Sequence, residues 1–89
     1  MTIAEAKQVR IVDFLAQLGH HAQHIKSEQY WYFSPLRNER TPSFKVNDRI
    51  NEWYDFGEAT GGDLVELTKN ICRTDSVSEA LAYIERLVN

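Results

Sequence analysis

The stiff side chains of this 89-residue chain are crowded into its middle. Three of the four Phe, three of the four Tyr and both Trp fall between Tyr30 and Phe56, together with both prolines, Pro35 and Pro42. Aromatic residues suit a pleated surface, and proline interrupts helices, so this middle predicts a small sheet that the flanks must cover. The flanks read as helices. Thr2-Ile3-Ala4-Glu5 has the form of a capping box, and Ile11, Val12, Phe14, Leu15 and Leu18 follow at helical spacing. Gly19 is placed to end that helix in a left-handed conformation. Asp63 with Glu66 opens a second helix, whose apolar face is Leu64, Val65, Leu67 and Ile71. Ser76 with Glu79 opens a third, carrying Ala80, Leu81, Ile84, Leu87 and Val88.

Within the middle, residues 29–34, 43–46 and 52–56 predict three short antiparallel strands, with a turn at 47–51. Alternation puts Tyr30 and Tyr32 on one face of the first strand and Trp31 and Phe33 on the other. Both faces are apolar, so one is core and the other is covered or binds something. The expected class is α+β: one domain, residues 1–89, with a small antiparallel sheet flanked by one N-terminal and two C-terminal helices.

Composition removes several function classes. A single cysteine, Cys72, allows no intramolecular disulfide, which excludes a secreted disulfide scaffold and fits a reducing cytoplasm. No apolar run reaches the roughly 18–20 residues of a membrane span, and the first ten residues lack a signal peptide's apolar core. Net charge is −3, so any nucleic-acid role rests on a local patch. From Lys26 to Arg49 there are five cations against three acids, a local +2. His20, His21 and His24 lie just after Gly19 and read as loop histidines rather than metal ligands. Cys72 reads as a small buried residue. "GEATGGD", residues 57–63, lacks the Gly-Lys-Ser/Thr element of a phosphate loop and reads as the lead into a capped helix.

Two stretches carry a resemblance. "SPLRNERTPSFKV", residues 34–46, and "YDFGEATGGDLVEL", residues 54–67, resemble the N-terminal zinc ribbon of bacterial replicative DNA primases. Pro35, Glu39, Arg40, Thr41, Pro42, Ser43 and Phe44 match that family's pattern in place, as do Phe56, Gly57 and Gly62. The flanking helices are similar too, so the resemblance covers nearly the whole chain. The family's four zinc positions, Cys, His, Cys and Cys, fall here on Ser34, Arg37, Asp55 and Glu58. A structural zinc site needs soft or borderline donors, and a guanidinium cannot ligate. The expectation is therefore a domain with no zinc and no other cofactor. Arg37 would pair with Asp55 and Glu58, with Ser34 as a further hydroxyl. An acid–base role for Asp55 and Glu58 has no nucleophile or cleft to support it.

The resemblance also implies a role in handling single-stranded DNA template, through a sheet face of aromatic and basic side chains. The residues that fit are Arg40, Lys45 and Arg49 for phosphates, and Trp31, Trp53 and Tyr54 for stacking. Against this stand plainer roles: aromatics as core, Lys45 and Arg49 as guards of an edge strand, Arg40 as a brace of the turn between the prolines. The function expected is a non-catalytic nucleic-acid-binding module of a primase-like replication protein. Primer synthesis would belong to a downstream catalytic domain; the partners expected are single-stranded DNA and either that domain or a helicase, with no membrane. The competing expectation is a protein-interaction module that lost DNA binding along with zinc.

Overall fold

The computed structural model describes residues 1–38 and 40–88; Glu39, one of the motif residues above, and Asn89 lie outside the described residues. The described residues form helices α1 (Ile3–Lys7), α2 (Ile11–Gln17), α3 (Leu64–Cys72) and α4 (Val77–Val88). They also form strands β1 (His24–Lys26), β2 (Gln29–Tyr32), β3 (Phe44–Asn47), β4 (Glu52–Asp55) and β5 (Thr60–Gly62). The strands pair antiparallel in chain order, β1-β2-β3-β4-β5, and the class is α+β. None of the described helices is long and apolar enough to cross a membrane.

The element count differs from the sequence expectation in two places. The N-terminal helix is two helices. Thr2 and Glu5 close the capping box (Glu5 N to Thr2 Oγ1, 3.1 Å; Thr2 N to Glu5 Oε1, 2.8 Å), but the chain turns extended at Arg10. Asn51, in the β3–β4 turn, holds this break open. Its Oδ1 accepts from the Ile11 amide at 2.9 Å, and its Nδ2 donates to the carbonyls of Val9 (2.9 Å) and Lys7 (3.2 Å). Groups left over at the end of α1 and the start of α2 thus find partners some 40 residues away, beyond the reach of any local pattern. Arg10 adds a second tie to the same turn, 2.8 Å from Asp48.

The sheet has five strands rather than three. β1 pairs with β2 after a turn at Ser27, and Thr60-Gly61-Gly62 pairs along β4. Neither segment has strand-forming composition; the neighbour's backbone supplies what propensity lacks. His24 therefore lies in a strand and not in a loop. Gly19, at φ 86, ends the N-terminal helical region in the left-handed conformation that the sequence predicts.

All four helices pack on one side of the sheet. Tyr32, Phe44, Val46 and Trp53 point into that side and meet Ile11, Phe14, Leu15, Leu64, Leu67, Ala80 and Ile84, all buried. Each large side chain buried in this way contributes about 1.5–3 kcal/mol. Phe44 stacks on Trp53 (centroids 5.3 Å apart, 12° between planes) and meets Tyr32 edge-on. Asp63 caps α3 through Oδ1, which accepts from the Glu66 amide at 3.0 Å, while Ser76 Oγ accepts from the Glu79 amide ahead of α4. The aromatic middle is thereby pinned between its own outer surface and a helical lid.

Candidate nucleic-acid interface

The face of the sheet turned away from the helices is also aromatic. The register aligns one residue from each strand across it: His24, Trp31, Lys45, Tyr54 and Gly61. The rings join up. His24 stacks on Trp31 (5.7 Å, 17°), Trp31 stacks on Phe56 (5.6 Å, 18°), and Phe56 meets Tyr54 edge-on (4.8 Å, 71°). The Lys45 ammonium lies 5.8 Å from the Trp31 centroid and 5.7 Å from that of Phe56. At these distances a cation is held by the ring faces while keeping water, and an anion, within reach. Phe56 is 53% and Tyr54 39% exposed, while Trp31, with His24 and Phe56 stacked against it, is half-buried.

Trp31, Lys45 and Tyr54 therefore meet as the sequence reading placed them. Trp53 does not. It is 3% exposed, stacked on Phe44, with its indole Nε1 donating to the Asp63 carbonyl at 2.8 Å. Its parity, opposite to that of Tyr54, puts it in the core, and it is removed as a stacking surface. Lys45 is no guard of an edge, because β3 is the middle strand. Arg49 sits exposed in the β3–β4 turn, at the far end of the hairpin from Phe56, its amide bonded to Asn47 Oδ1. Arg40 is exposed in the loop between β2 and β3. Phe56 and His24 were missed as members of this face. The two-residue spacing from Tyr54 would have found Phe56; His24 needed the pairing of β1.

At one end of this face the loop after β2 meets the turn after β4. Asp55 is fully buried, and its carboxylate is surrounded by donors. Arg37 reaches it with both fork nitrogens, Nη1 to Oδ2 at 2.5 Å and Nη2 to Oδ1 at 2.7 Å. The amides of Gly57 (2.9 Å) and Glu58 (3.3 Å) donate to Oδ1, and the buried Ser34 hydroxyl approaches Oδ2 at 3.4 Å. Nη2 also donates to Ser43 Oγ at 3.0 Å. The Arg37 hydrogen bond, ahead of its charge and the two amides, holds the Asp55 carboxyl below the ordinary carboxylate value. Glu58 is peripheral, 3.9 Å from Arg37 and mostly exposed.

The four positions thus converge, with Arg37 bound to a carboxylate at their centre. They do not fit zinc. A guanidinium carries no lone pair to give, and the one buried carboxylate is already occupied by its fork. Among the described residues no group of three or more His, Cys, Asp or Glu side chains is placed to hold a metal ion.

Comparison with known proteins shows the family and the fold. The family model described as the CHC2 zinc finger matches residues 2–89. DNA primases of Rickettsia prowazekii and Rickettsia bellii are 41% identical over 46 residues, which is 52% of this chain and 8% of theirs. The structure is similar to that of the Aquifex aeolicus primase (zinc binding and RNA polymerase domains), with a TM-score of 0.70 and 20% identity. That match covers 97% of this chain and 21% of the other, and it shows a shared fold.

Proposed function

The chain belongs to the CHC2 zinc finger family, and from that premise we propose that its outer sheet face binds single-stranded DNA template. It does so as a non-catalytic module of a DNA primase-like replication protein, with primer synthesis carried out by a separate domain. The observation that carries this reading is the aromatic strip of exposed Phe56 and Tyr54 beside half-buried Trp31, with Lys45 held over it. Bases stack on such rings without regard to sequence, and a central cation meets the phosphates between them.

The test is binding of a fluorescent single-stranded oligonucleotide across a salt series. Lys45 lies at the centre of the strip, while Arg40 and Arg49 are exposed in the β2–β3 loop and the β3–β4 turn. The slope of log K against log salt should be shallow, roughly −0.7 to −2 for one to three phosphates on a single strand. Lys45→Gln should weaken binding to all sequences alike and reduce the slope by about 0.7. Absence of binding at low salt by a folded protein would defeat this reading. It would favour a protein-docking role for the same exposed rings, which Phe33, 38% exposed, would extend.

A further inference from the structure

We propose that the Arg37 guanidinium stands in the structural place of a zinc ion, and that this member of a zinc-ribbon family completes its knuckle without metal. A structural ion in such a fold clamps separate pieces of chain together. Arg37 joins the same pieces. Its own loop follows β2, its fork holds Asp55 at the end of β4, and Nη2 reaches Ser43 at the entry to β3. Asp55 in turn gathers Ser34 from the first loop and the Gly57 and Glu58 amides from the last turn. A single planar fork with a single carboxylate thereby does the joining that four ligands around an ion would do.

The surroundings are cut to a guanidinium. A β-carbon on Gly57 would fall 2.7 Å from Arg37 Cζ and 3.2 Å from Asp55 Oδ1, so the fork lies flat against a backbone that has no side chain. The charge is kept as well. Arg37 with Asp55 and Glu58 sums to −1, as does a zinc ion with three thiolates and a neutral imidazole. Phe56 lies between Asp55 and Gly57, both bonded into the cluster, so the fork also fixes the ring that stacks on Trp31. The inference concerns this chain's own folding, and it stands whether or not the outer face binds DNA.

Full-length protein from zinc-replete cells is assayed for zinc by elemental analysis and for thermal unfolding with and without EDTA. The expected result is far less than one equivalent of zinc and an unchanged Tm. One equivalent of zinc, or a Tm that falls on chelation, overturns the proposal. Arg37→Lys keeps the charge and loses the fork, and its Tm should fall by roughly 10 °C; an unchanged Tm also overturns it. Should that variant prove too unstable to purify, the reverse exchange gives an independent reading. Ser34→Cys, Arg37→His, Asp55→Cys and Glu58→Cys together should take up one zinc and unfold on chelation. A folded four-fold variant that takes up none would show that the four positions do not surround one point, and the replacement idea would fall.

Discussion

Gly57 and Arg37 pack so closely that the glycine has no room for a side chain. A β-carbon there would press on the guanidinium at the moment it is bound to Asp55. Gly57→Ala should therefore cost about as much as losing the fork itself, about 3 kcal/mol by urea unfolding. In an Arg37→Ala background the same change should cost under about 1 kcal/mol, because the obstacle is gone. Equal costs in the two backgrounds would show that the contact is not what holds position 57 to glycine.

Arg37→Ala leaves a fully buried carboxylate without its cation, and should destabilise by about 3–5 kcal/mol. Asp55→Ala should cost less, since Arg37 is 26% exposed and its head can turn to water. The double variant should fall short of the sum by about 1–3 kcal/mol. Strict additivity in that cycle would dissolve the pair.

Acid should weaken the fold through the same carboxylate. Asp55 is held below its ordinary value of 3.8. Between its lowered folded value and 3.8 the unfolded chain binds more protons than the folded one, so stability rises with pH there. Its contribution is complete above the unfolded value and is lost as pH falls through the folded one. Asp55→Asn should be less stable near neutral pH and should lack this part of the decline below about pH 4. Urea midpoints measured from pH 7 down to pH 3 would show it. A slope unchanged in the variant would assign the acid response to other groups.

Asn51 ties the β3–β4 turn to the α1–α2 junction with three hydrogen bonds, and sits itself at φ 54. Asn51→Gly keeps the backbone at ease and loses the bonds, and should cost roughly 2–3 kcal/mol. Asn51→Ala should cost about 1 kcal/mol more, from the left-handed backbone. A glycine variant as stable as the parent would mean that water replaces the tie.

On the outer face, Phe56→Ala and Tyr54→Ala should each weaken single-strand binding by about 1–3 kcal/mol, or roughly 5- to 150-fold. Trp53→Phe should lower Tm and leave binding intact, because that ring is in the core. Fluorescence anisotropy at low salt separates the two; loss of binding from Trp53→Phe in a folded protein would contradict the assignment of faces.

How legible this was depends on the range of each signal. Thr2 with Glu5, Asp63 with Glu66 and Ser76 with Glu79 act within one helical turn, and each reads directly from sequence. Alternation along β2 and β3 groups residues by face as the sheet does, Tyr30 with Tyr32 away from Trp31, and Phe44 with Val46 away from Lys45. Along β4 aromatic content alone sets Trp53 beside Tyr54 as a stacking surface, although neighbouring strand residues face opposite ways and Trp53 lies in the core. Ser34, Arg37, Asp55 and Glu58 converge as the resemblance to the zinc ribbon implies. The break at Arg10 was invisible because its partner, Asn51, lies 40 residues on in the sequence. β1 and β5 were missed for a related reason: His24–Lys26 and Thr60–Gly62 become strands only beside β2 and β4.

That same asparagine shapes how the chain must come together. Its bonds to Ile11, Val9 and Lys7 close loops of 40, 42 and 44 residues, nearly half the molecule. The β3–β4 hairpin and the α3–α4 pair can each form from near neighbours within microseconds, but this joint waits on a distant segment. Once made, it leaves the N-terminal helices unable to detach without breaking the three bonds that Asn51 makes to them. Release of either segment then strips polar groups of the other of their partners, which favours losing both together over fraying from the start.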